Sequence, residues 1–261
     1  MADGSMTTDM ISIRGDGGEQ IDAYYARPAG EGPFPGVVVI QHIFGVDEWI
    51  MEVCRRFAHH GYVAMAPNLY ARIGSLGTGA VEDLAARLRS KGGLNDDIVT
   101  GDLRGTLDAL NALPECNGNV GVIGFCMGGR FAYLAACRIP GFSAAVDCWG
   151  GGVAPDPSQP GNPPGTPPVD LTAGMQVPLL GLFGNDDTRP NRDEVDRTEA
   201  ALKANNKTYE FYRYDGAGHA FFSWSSVAHR PQQALDGWSK VWAFFDKHVD
   251  KKPATAGAQA R

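Results

Sequence analysis

The sequence lacks an excess of positive charge, a long uninterrupted apolar stretch and any paired arrangement of cysteines, and each absence removes a class of function. Lys and Arg number 23 against 30 Asp and Glu, for a formal net charge of −7. A general binder of nucleic-acid backbone needs a basic surface, so no nucleic-acid partner is expected, although a local basic patch for an anionic substrate is still allowed. No apolar run approaches the roughly 20 residues that a membrane-spanning helix requires. The opening MADGSMTTDM has no basic segment followed by an apolar one, so no signal peptide is expected. The five cysteines, Cys54, Cys116, Cys126, Cys137 and Cys148, are odd in number and show no CxxC spacing. That argues against a disulfide framework and against a structural zinc site, and no metal is expected. Reduced thiols and the missing leader give a cytoplasmic location as the expectation.

What is present suits a soluble enzyme. A chain of 261 residues fits one large domain, or at most two small ones. A domain of this size buries roughly 70–75% of the surface its unfolded chain would expose. Residues 11–28 read as two short strands around Gly15–Gly18. GVVVIQ (36–41), YVAMAP (62–67), NVGVIGF (119–125), SAAVDCW (143–149), PLLGLFG (178–184) and 208–214 read as further strands. Their continuous apolar character suits strands buried on both faces of a parallel sheet. Helices are expected over 47–60, 80–90, 95–113, 128–139, 191–204 and 231–249. This alternation predicts an α/β fold, with a mostly parallel central sheet and helices on both faces. Residues 154–168, rich in Pro, Gly and Asn, read as a surface loop within one domain spanning 1–250, and 251–261 as a disordered tail.

The chemistry gathers at the ends of three strands. Strand 119–125 runs into Gly124-Phe125-Cys126-Met127-Gly128-Gly129 and then a helix. This is the G-x-S-x-G nucleophile elbow with cysteine in place of serine. The flanking positions must be small so that strand and helix can close around a sharp turn. The turn lifts the side chain above the sheet at a helix N-terminus, where dipole and free N–H groups favour an anion. In such folds the acid and the histidine follow in chain order. Strand 178–184 ends in Asn185-Asp186-Asp187, which offers two acids. The strand near Phe211–Tyr214 is followed by Asp215-Gly216-Ala217-Gly218-His219, a loop histidine between small residues. The expected oxyanion donors are the backbone N–H groups of Met127, after the nucleophile, and of Ile43, in the loop after an early strand. A Rossmann-type phosphate turn is not indicated, because Gly121, Gly124 and Gly128 lack the GxGxxG spacing.

Taken together, Gln41-His42-Ile43-Phe44-Gly45, Pro67-Asn68-Leu69-Tyr70-Ala71-Arg72, Gly124 to Gly129, Gly184-Asn185-Asp186 and Gly216-Ala217-Gly218-His219-Ala220-Phe221 resemble the dienelactone hydrolase (carboxymethylenebutenolidase) family. The resemblance spans most of the chain in the family's order. It implies an α/β-hydrolase fold, no cofactor, and a Cys–His–Asp triad acting on a small lactone of aromatic-compound degradation or on related esters. By its motifs the triad roles fall on Cys126, Asp186 and His219, with Asp186 preferred over Asp187. Two departures stand out. The best-known members carry a glutamate where this chain has His42, so resting control of the thiol is expected to differ. They also place an arginine soon after the histidine, where this chain has Phe221-Phe222-Ser223-Trp224. Arg87 or Arg89 corresponds to the family's other arginine, with Arg87 and His42 taken as substrate-binding candidates. An aromatic wall of Phe221 and Trp149 favours a less charged substrate. The expected partner is therefore a small-molecule ester or lactone, turned over by a monomer or homodimer through a thioester acyl-enzyme. A general carboxylesterase acting on activated esters, a non-catalytic hydrolase-fold ligand-binding protein and a redox-sensing thiol are the rival readings. The first predicts fast turnover of p-nitrophenyl esters. The second predicts ligand binding without hydrolysis, and the third sulfenic acid at Cys126 without ester turnover.

Overall fold

A computed structural model describes residues 5–73, 86, 88, 90, 93–158 and 165–249. Eight strands form one sheet in the order β1-β2-β4-β3-β5-β6-β7-β8. β1 (Met6–Arg14) and β2 (Gln20–Pro28) make the expected antiparallel hairpin, and β2 lies antiparallel to β4 (Val63–Pro67). From β4 onward the pairing is parallel: β4 with β3 (Phe34–Ile40), then β5 (Cys116–Phe125), β6 (Phe142–Cys148), β7 (Leu179–Gly184) and β8 (Tyr209–Tyr214). The mostly parallel α/β architecture expected from the strand–helix alternation is therefore present.

β3 shows why its apolar run is continuous. Val37 and Val39 belong to one core, with α1 (Glu48–His59) and α5 (Pro231–His248). Val38 and Ile40 belong to a second core on the other face, with α2 (Asp96–Asn111) and α3 (Met127–Arg138). Successive side chains of a strand point to opposite faces, so a strand covered on both sides has no polar position to spare. The helix α4 (Arg192–Ala204) follows β7. Asp47, Asn95 and Asn191 cap α1, α2 and α4, each accepting from backbone N–H groups of the first turn.

A partly buried ion pair ties the helix after Cys126 to its neighbour. Arg130 on α3 donates to both carboxylate oxygens of Asp96, at 2.7 and 2.8 Å, and to the Gly152 carbonyl. This two-point geometry fixes α3 against the start of α2. A 3-10 segment at Pro168–Gly174, which the sequence pattern did not indicate, begins at the last residue of the stretch expected to be a loop. The helix expected over 80–90 and the tail expected at 251–261 lie outside the described residues, apart from Ala86, Leu88 and Ser90. Among the described residues, no helix is long and apolar enough to cross a membrane.

Candidate active site

β5 ends at Phe125 and α3 begins at Met127, so one residue, Cys126, must make the whole turn. It does so at φ 57°, ψ −120°, a left-handed conformation that side-chain-bearing residues rarely adopt. Its N–H donates to the Cys148 carbonyl at the end of β6, and its carbonyl accepts from Gly129 N at 2.9 Å. Two glycines make the turn sterically feasible. A Cβ on Gly124 would overlap the Gly128 carbonyl, and one on Gly128 would sit 2.5 Å from the carbonyl oxygens of Ile40 and Gln41. The second contact also presses the elbow against the Gln41–Gly45 loop, which follows β3.

His219 lies in the turn after β8. Its Nδ1 donates to Asp187 Oδ2 at 2.7 Å. On the sulfur side the ring meets Cys126, whose hydrogen bond and charge act on it. Burial, the largest influence, lowers the imidazole's affinity for its proton. The Asp187 and Cys126 interactions outweigh it and push the pKa up to about 10. The ring is still 39% exposed, which leaves it accessible from solvent, while the Asp187 side chain beneath it is 2% exposed.

The acid beside the histidine is thus Asp187, not Asp186. The reason is the path of the chain after β7. Asp186 N donates to the Ala217 carbonyl, which stitches this turn to the histidine loop and leaves the Asp186 side chain exposed. The next residue then points inward. Both Asp187 oxygens are engaged, Oδ2 by His219 and Oδ1 by Arg189 N at 2.8 Å. A carboxylate held at both oxygens cannot rotate, so the imidazole it carries is fixed in tautomer and direction.

The two aromatic residues expected to wall the substrate lie behind the site instead. Trp149 and Phe221 are fully buried, and their ring centroids are 5.2 Å apart. Trp149 stands edge-on to His219 at 6.5 Å. They are core residues that back the histidine: both belong to the core cluster that includes α1 and α5 side chains, and Trp149 takes a φ of 44° just after β6. Two exposed rings do stand on the site loops: Phe44, beside Ile43, and Trp224, five positions beyond His219. Their place on the two site loops was readable in the sequence; their exposure was not. His42 is directed at Asp47, with Nε2 3.0 Å from Oδ2, and its ring meets Phe44 and Trp49 edge-on. It therefore anchors the loop to the cap of α1, which departs from the substrate contact expected of it. Arg87 and Arg89 lie outside the described residues. Among the described residues, no group of three or more His, Cys, Asp or Glu is placed to hold a metal ion.

The other four cysteines differ from Cys126 in their surroundings. Burial pushes the thiols of Cys54, Cys116 and Cys148 up, and that of Cys137 up to about 12. Alkylation needs the thiolate. Iodoacetamide at pH 7.5 is therefore expected to modify Cys126 at least about tenfold faster than any other cysteine. Peptide mapping of a labelling time course checks this, and equal or slower labelling of Cys126 contradicts it.

One buried carboxyl lies close to the elbow. Asp147 on β6 accepts from Gly150 N at 2.7 Å and packs so tightly beneath Gly129 that a Cβ there would overlap it. Burial raises its pKa most; the Gly150 bond opposes this and the Glu194 charge adds to it, giving about 7. A carboxyl with a raised folded-state pKa favours folding below its unfolded value, and that advantage is lost as pH rises toward 7. Asp147→Asn mimics the neutral form, so it is expected to raise Tm at pH 8 more than at pH 5. Melting curves at the two pH values check the difference, and an equal shift contradicts it.

A strand-end cysteine, a histidine against it and a buried aspartate bonded to the histidine thus gather at the strand ends of one mostly parallel sheet. The model described as "Dienelactone hydrolase family" matches residues 21–249. The chain belongs to the dienelactone hydrolase family. It is 39% identical over 236 residues to a protein of Methylorubrum extorquens named "Putative carboxymethylenebutenolidase", covering 87% of this chain and 77% of that one. A protein of the same name from Escherichia coli is 36% identical over 240 residues, covering 90% and 85% of the two chains. The crystal structure of a Klebsiella pneumoniae protein, titled as a "Putative Dienelactone Hydrolase", superposes with a TM-score of 0.84 at 35% identity, over 94% of this chain and 100% of that one. The architecture is the α/β-hydrolase fold, and the dienelactone hydrolase family is one of hydrolases.

Proposed function

We propose that this dienelactone hydrolase family member opens a small lactone or activated ester through a thioester on Cys126, with His219 as acid–base and Asp187 as its orienting acid. The observation that carries the reading is the 2.7 Å bond from His219 Nδ1 to Asp187, on a ring that also interacts with Cys126. In the proposed cycle His219 accepts the thiol proton and the sulfur adds to the carbonyl carbon. The N–H groups of Ile43 and Met127 receive the oxyanion. Collapse expels the alkoxide or enolate, which takes the proton from His219. A water molecule, deprotonated by His219, then attacks the thioester. The acid leaves and the thiol is restored.

A cysteine suits a leaving group that is stable as an anion, and a lactone that opens to an enolate supplies one. The relatives named as carboxymethylenebutenolidases agree with that substrate class. Rapid-quench mass spectrometry with a dienelactone and with p-nitrophenyl acetate tests the proposal. The expected result is an acyl mass on the Cys126 peptide with both substrates and a higher kcat/KM for the dienelactone. A higher kcat/KM for the p-nitrophenyl ester makes the protein a general esterase. Turnover with no acyl mass on Cys126 removes the covalent step.

A further inference from the structure

The loop proposed to hold the oxyanion, Gln41–Gly45, is fastened by a segment that the reaction cycle has not used. Residues 68–70 follow β4, the neighbour of β3 in the sheet. Leu69 N donates to Gln41 Oε1 at 3.1 Å, and Tyr70 N donates to Asn68 Oδ1 at 3.0 Å. Asn68 N in turn donates to the Asp22 carbonyl on β2 at 2.8 Å. Tyr70 is almost wholly buried, so its hydroxyl has a fixed direction. That hydroxyl donates to the Ile43 carbonyl at 2.9 Å and lies 3.9 Å from Met127 Sδ. Ile43 and Met127 are the two residues whose N–H groups are proposed to receive the oxyanion. One phenol thus touches both halves of the hole, which come from loops more than 80 positions apart.

We propose that Tyr70 is a positioning residue for the oxyanion hole, holding the Ile43 loop at a fixed distance from the elbow. The hydrogen bond fixes the peptide that follows Ile43, which restricts rotation about residue 43 and so the direction of its own N–H. The contact with Met127 sets the same hydroxyl against the start of α3. Pre-aimed donors stabilise charge as it forms in the transition state without reorganising at that moment. Loss of the phenol hydroxyl therefore lowers turnover, while ground-state binding and the nucleophile are retained. The inference rests on the reading of Cys126 and the two N–H donors given above.

Tyr70→Phe keeps the buried ring and removes the hydroxyl with its contacts to Ile43 and Met127. With p-nitrophenyl acetate the variant is expected to lose about tenfold in kcat, with KM changed less than about twofold. Affinity for an aryl trifluoromethyl ketone is expected to fall in parallel, because the thiolate adds to its carbonyl to leave an oxyanion in the hole. The rate of Cys126 alkylation by iodoacetamide, which needs the thiolate but no oxyanion hole, is expected to stay within about twofold of the parent. A kcat equal to the parent's overturns the proposal. So does alkylation slowed by the same factor as hydrolysis, which would place the effect on the nucleophile or the fold. Cys126→Ala, run alongside, separates the two layers: parental hydrolysis by that variant removes the site reading itself, whatever Tyr70 does.

Discussion

Cys126→Ala is expected to lower kcat/KM for any ester or lactone substrate by at least about 10⁴-fold, with the fold unchanged. The magnitude follows from what is left behind. The oxyanion donors and the binding surface remain, and these alone support a small residual rate over water. His219 and Asp187 also remain, but they have no nucleophile to activate. Cys126→Ser is expected to fall between the two, since a hydroxyl hydrogen-bonded to His219 is a weaker nucleophile in a site shaped around sulfur. Steady-state kinetics checks both variants, with circular dichroism and Tm confirming the fold. A Cys126→Ala protein that keeps more than about a tenth of the parental rate contradicts the assignment of the nucleophile. The position itself tolerates either side chain, since alanine and serine meet the same backbone strain at φ 57° as cysteine does.

Much of this site was legible in the chain because steric demands leave marks in sequence. A strand that ends in Gly-x-Cys-x-Gly has almost no use other than a tight turn. The structure shows why each glycine is there: Gly124 against Gly128, and Gly128 against residues 40 and 41. The two-sided strands were legible for a similar reason, as Val37–Ile40 must satisfy two cores at once. His219 stood out as a loop histidine among small residues at the end of a strand. What could not be read were contacts fixed by chain paths across the molecule. Trp149 and Phe221 look like a substrate wall by their position near the site. Their burial depends on the backbone turning at Trp149 and on the packing of Phe222 and Trp238 behind them. Tyr70 sits in a motif that the family resemblance brought out, yet its partner Ile43 is 27 positions away and bonds through a carbonyl. No side-chain pattern records such a bond.

The two adjacent acids give the sharpest separation of the structure from the sequence. Asp187→Asn is expected to reduce kcat by about 10⁴-fold, whereas Asp186→Asn is expected to change it by less than about threefold. The resemblance favoured Asp186 because it completes the Gly184-Asn185-Asp186 motif. The Asp186 amide, however, is committed to the Ala217 carbonyl, and the turn presents the next carboxylate to the ring. An asparagine at 187 keeps the size and can keep the bond from Arg189 N. It removes the charge and can offer an amide N–H to Nδ1, which stabilises the wrong tautomer. The same substitution carries a second signature in stability. His219 has a folded-state pKa near 10, above its unfolded value of about 6.5. Its contribution to folding is therefore complete below about pH 6.5 and lost as pH rises toward 10. Without the Asp187 charge the pKa falls, so the loss of stability across that window is expected to be smaller in Asp187→Asn than in the parent. Urea midpoints from pH 6 to 10 for the parent and both asparagine variants measure it. If Asp186→Asn, and not Asp187→Asn, gives the large kinetic loss and the flattened pH profile, the acid has been misassigned and the turn after β7 must run differently in solution.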